Sequence, residues 1–79
     1  MTISQAVTAR INEILREKDM TWYKLEQITG LSKGTIIGIQ YSRYKSINLT
    51  TLVIIIRALG ISIDEFFRSP LFNEENLDY

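Results

Sequence analysis

The chain has 79 residues, enough for one small domain, and nine Lys and Arg balance nine Asp and Glu. It has no Cys, which excludes a disulfide framework or thiolate metal site, and no His, which removes the commonest general base and metal ligand together. The longest apolar run is Leu52–Ile56, far short of the roughly 18 residues that a membrane span requires.

The first element is a helix over residues 3–18, where Ile3, Val7, Ile11, Ile14 and Leu15 share one face. Thr2 and Gln5 have the spacing of a capping box at its start. Four further helices are expected near 22–29, 33–41, 49–59 and 63–68. Each follows a good N-cap residue: Thr21, Ser32, Asn48 and Ser62. An apolar residue precedes each cap (Met20, Leu31, Ile47, Ile61), and another stands at the fourth helical position (Leu25, Ile36, Leu52, Phe66). That pattern is a hydrophobic staple repeated in register. Ser62 and Glu65 add a second capping-box spacing. Gly60 is placed to end the fourth helix, and Pro70 blocks extension of the fifth. No segment alternates with period two, so no sheet is expected and the fold class is all-α.

The second and third helices are separated only by Gly30, Leu31 and Ser32. Two short helices across so short a turn with a glycine make a helix-turn-helix unit. Its shared interior is expected to hold Leu25, Ile28, Leu31, Ile36 and Ile39. Within the run Leu52–Ile56, Ile54 falls outside the stripe formed by Leu52, Ile55, Ile56 and Leu59, which marks it as a candidate oligomer contact. The domain is read as residues 1–69, followed by an acidic tail, 70–79. Leu71 and Phe72 in that tail have three outcomes open to them: docking on the domain, contact with a second copy, or fraying.

Charge is unevenly spread. Residues 27–63 contain no Asp or Glu but carry Lys33, Arg43, Lys45 and Arg57. The acids Asp64, Glu65, Glu74, Glu75 and Asp78 follow. A basic middle and an acidic end cancel only in the sum. No nucleophile–base pair or metal cluster is apparent, so neither an enzyme nor a cofactor is expected.

Two runs, "RINEILREKDMTWYKLEQITGLSKGTIIGIQ" and "NLTTLVIIIRALGISIDEFF", resemble the lambda-repressor-like, Cro/C1-type (XRE) helix-turn-helix family over about residues 7–67. The resemblance implies a five-helix DNA-binding domain from a small bacterial or phage-derived regulator. The third helix would enter the major groove, and dimers would bind half-sites about one turn apart. It puts base contacts at Lys33, Gly34, Ile37 and Gly38. Phosphate contacts are implied at Thr21, Trp22, Thr35, Tyr41, Ser42, Arg43, Tyr44 and Lys45. The implied partner is double-stranded DNA bound by a homodimer. The short apolar run and the N-terminal residues, which lack a signal-peptide layout, separately lead to the expectation of no membrane role and a cytoplasmic location.

Three departures from the family pattern bear on function. Glu26 replaces a small residue in the second helix, and its carboxylate needs solvent or a partner. Leu15 and Gln40 replace a frequent Arg–Glu pair, so both charges are lost together. Gly34 and Gly38 stand on the expected DNA face without side chains, either for close approach or as tolerated drift, at about 1 kcal/mol of helix propensity each. Ile37 suits a thymine methyl or a protein partner equally. The second function class is therefore a helix-turn-helix domain used for protein–protein contact, as in an antitoxin.

Overall fold

The computed structural model describes residues 1–78, and Tyr79, the last residue of the expected tail, lies outside them. The described chain is helical. Its elements are α1 (Ile3–Glu17), α2 (Trp22–Thr29), α3 (Lys33–Gln40), α4 (Leu49–Ala58) and α5 (Ile63–Phe67). Two single 3₁₀ turns follow, Pro70–Phe72 and Glu74–Asn76. The five helices begin where the caps place them. The hydroxyls of Thr21, Ser32 and Ser62 and the Asn48 amide oxygen each accept the backbone N–H three residues on. Thr2 and Gln5 close a full capping box. Ser62 does not: Glu65 makes no return bond.

One core joins the helices. Val7, Ile11, Ile14 and Leu15 of α1 meet Leu25 of α2, Ile39 of α3, Leu52, Ile55 and Ile56 of α4, and Phe66 of α5. The staple residues Met20, Leu31, Ile47 and Ile61 pack against its rim, as their position before each cap requires. Truncating a side chain as enclosed as Leu25 to Ala should destabilise by about 2–5 kcal/mol. α5 is a single short turn of helix with little internal strength. Arg10 of α1 holds its end: Nε donates to the Phe66 carbonyl at 2.8 Å and Nη2 to that of Glu65 at 2.9 Å. A cation on the last carbonyls suits the negative end of a helix.

One expectation needs correction, and one of the three outcomes left open for the tail is seen. Ile28 lies outside the shared interior, 47% exposed, because Leu25 and Trp22 are the α2 side chains that reach the core. The tail docks on the domain. Phe72 packs on the core, its ring 5.8 Å from Phe66 and 4.8 Å from Phe67, so it is no free oligomer contact. Beyond it, the Asp78 N–H donates to the Met1 carbonyl at 2.8 Å, and Thr2 and Asp78 form an isolated parallel bridge. That bridge is the one β-type pairing among the described residues. Ile54, 38% exposed on α4, remains outward as its spacing requires. No helix among the described residues is long and apolar enough to cross a membrane.

Candidate nucleic-acid interface

The candidate surface is α3 and the loop after it. Gly30 ends α2 with φ +70°, a left-handed value that favours glycine, and so turns the chain sharply. Ser32 then starts α3, accepting the Thr35 N–H at 3.1 Å and donating to the Thr35 hydroxyl at 2.8 Å. Ile36 and Ile39 point inward and are buried. The opposite face of α3 is thereby left outward, carried on a turn and a core that fix its position.

The loop after α3 is bound from two sides. Ser42 has φ +53°, and its hydroxyl donates to the buried Thr8 hydroxyl of α1 at 2.9 Å. Thr8 in turn donates to the Ile39 carbonyl at 2.6 Å, which also accepts the Ser42 N–H at 3.1 Å. The Arg43 N–H donates back to the Gly38 carbonyl at 2.8 Å. The chain is therefore aimed by hydrogen bonds through Ser42, and Arg43, Tyr44 and Lys45 project from it with exposed side chains. The Arg43 guanidinium stands 5.6 Å from the centre of the Tyr41 ring, a cation–π distance that steadies both.

A groove of about 670 Å³ runs along the flank of α3. Lys33, Ile37, Gln40 and Tyr41 form one wall; Trp22, Tyr23 and Glu26 of α2 and Arg16 of α1 form the other. Half-buried Glu26 opens onto this groove, where its carboxylate has access to solvent, and makes no ion pair among the described residues. Leu15 and Gln40 both reach the groove, an apolar and a neutral side chain where a charged pair was absent from the sequence. Asn12 and Arg16 escaped the sequence reading. Their only signal was helical spacing, which places them four residues apart on α1.

Several expected contact residues change role. The Trp22 indole N–H donates to the Asn12 side-chain oxygen at 2.8 Å, so it is already engaged within the fold and is not a free phosphate donor. The Ser42 hydroxyl is likewise used on Thr8, whereas that of Thr35 only accepts from Ser32 and keeps its own O–H to donate. The Thr21 hydroxyl caps α2 by accepting the Lys24 N–H at 3.0 Å, leaving its own O–H to donate outward.

The two glycines, expected to act alike, do not. Gly34 is exposed, with open space where a Cβ would stand. Gly38 is buried beneath the Tyr44 ring, and a Cβ there would overlap it. Gly38 is thus a seat for an aromatic ring and not a bare patch of backbone facing outward. Tyr44, expected on a phosphate, lies on α3 itself, its hydroxyl 3.4 Å from the Gly34 carbonyl.

A helix-turn-helix with a buried inner face, an outward third helix and a basic loop defines a class of nucleic-acid-binding domain. The family of Cro/C1-type HTH DNA-binding domains matches residues 10–70, and the chain belongs to that family. No curated protein and no solved structure matches it.

Proposed function

We propose that the protein is a sequence-specific, double-stranded-DNA-binding transcriptional regulator of the repressor type, acting in the cytoplasm as a homodimer on two half-sites. The carrying observation is the outward face of α3. It is held by Ile36, Ile39 and the Ser32 cap, and it presents Lys33 within a stretch, residues 27–63, free of acidic side chains. Lys33 suits the O6 and N7 acceptors of guanine, and Ile37 offers an apolar contact for a thymine methyl. Gly34 lets the duplex come close to the backbone. The hydroxyls of Thr21 and Tyr41 and the cations Arg43 and Lys45 suit phosphate contacts that set register. Ile54 on α4 is the proposed subunit contact.

Selection from a random duplex pool, followed by a salt titration, tests this. With about four phosphates neutralised, log affinity falls with log salt at a slope near −3.6. Affinity that ignores salt would refute the mechanism.

A second reading, a protein-binding module of the antitoxin kind, draws on the groove, where Ile37 and Trp22 flank a Tyr23 that is 70% exposed. Lys45→Glu, outside the groove, separates the two: it weakens DNA binding under the first and leaves partner binding intact under the second.

A further inference from the structure

Gly34 and Gly38 are four residues apart on α3 and share one face. Neither offers a side chain to a base. Tyr44 fills that gap. Its ring rests on Gly38 with no room for a Cβ between them, and its hydroxyl stands over the Gly34 carbonyl. The residue is nonetheless 44% exposed, so part of it stays open to a partner. The loop that delivers it is fixed by the two residues before it. Arg43 is bonded to the Gly38 carbonyl, and Ser42 is bonded through Thr8 to the Ile39 carbonyl.

We infer that Tyr44 is a specificity-determining residue: carried on the loop but seated across Gly38 and Gly34, it presents its ring edge and hydroxyl to base edges in place of the side chains that α3 lacks. This rests on the DNA-binding reading above. A phenol suits the task. Its ring edge gives apolar contact to a thymine methyl, and its hydroxyl both donates and accepts, so either class of base-edge group can be met. The 3.4 Å separation from the Gly34 carbonyl is long for an O–H···O bond, and the hydroxyl can exchange it for a base at little cost. Gly38 is then part of the reading device, because any side chain there shifts the ring on the helix.

The test uses the full chain and the duplex selected from the random pool. Competition binding at fixed salt compares that duplex with every single-base variant, for wild type, Tyr44→Ala and Gly38→Ala. Circular dichroism checks that each variant folds, and Gly38→Ala alone keeps the test decisive should Tyr44→Ala unfold. The expected result is loss of about tenfold discrimination at one position of each half-site, the size of one good base contact. Both variants should lose it at the same position, with other preferences kept. An equal loss of affinity for all duplexes would make Tyr44 a phosphate contact or a scaffold, and unchanged preferences would leave it no role; either overturns the inference. If wild type selects no sequence at all, the DNA-binding reading fails first, a distinct result.

Discussion

Gly34→Ala and Gly38→Ala are the same chemical change on one helix, and they should have opposite signs. At position 34 an added Cβ meets nothing within 4 Å, and the backbone is helical. The substitution therefore gains helix propensity and restricts the unfolded chain, worth roughly 0.5 kcal/mol so close to the helix start. In a domain of this size that raises Tm by about 2–4 °C. At position 38 the same gain is available, but the Cβ would overlap the Tyr44 ring and lie 2.6 Å from its hydroxyl oxygen. The ring must shift, and full displacement sets the upper bound of the cost. A tyrosine buries about 150–250 Å² when enclosed, so this half-covered one hides about 100 Å², or at most ~2.5 kcal/mol. Set against the propensity gain, Gly38→Ala should destabilise by about 1–2 kcal/mol.

Urea unfolding measures both, with an unchanged m-value as the sign that only stability moved. The decisive control is the double-mutant cycle. In a Tyr44→Ala background the obstacle is gone, and Gly38→Ala should become stabilising, giving a coupling of about 1 kcal/mol or more. If Gly38→Ala stabilises the wild-type background as Gly34→Ala does, or acts alike in both backgrounds, the ring does not rest on Gly38 in solution and the argument falls.

Other expectations follow from single contacts. Thr8→Val removes the hydroxyl between Ser42 and the Ile39 carbonyl; it should cost about 1–3 kcal/mol in urea unfolding and weaken DNA binding by loosening the loop. Trp22→Phe deletes the bond to Asn12 and should lower stability by about 1 kcal/mol while leaving the salt slope of DNA binding unchanged; a shallower slope would return Trp22 to the phosphates. The Asp64 carboxyl is held below its ordinary value, first by the Ser62 hydroxyl and then by the Arg68 guanidinium one turn on. A depressed folded pKa means that its contribution is present above the unfolded value of about 3.9 and is lost as pH falls through the folded one. An NMR titration should therefore find Asp64 below that value in the wild type and raised in Ser62→Ala.

The fold was legible because its signals are local. A cap at Thr21, Ser32, Asn48 or Ser62 acts within three residues, and the stripe from Val7 to Leu15 needs only helical spacing. What escaped was contact between side chains distant in sequence. Trp22 bonds to Asn12 ten residues away, Ser42 to Thr8 thirty-four away, and Phe72 crosses from the tail to Phe66. Ile28 misled because its spacing from Leu25 and Leu31 fits an inner face, yet Leu25 and Trp22 are the α2 side chains that reach the core.

The glycines show the same limit at the site itself. A helix propensity scale gives Gly38 only a cost, because it scores a residue against its own backbone. The compensation comes from Tyr44, six residues on and outside the helix, whose ring needs the space a Cβ would take. Gly34 has no such tenant; what lies over it is the Tyr44 hydroxyl at its carbonyl, and open space for a partner. One glycine thus serves the fold of the proposed reading surface, and the other stays open for the proposed approach to DNA. The identical residue types at positions 34 and 38 hid that division of roles.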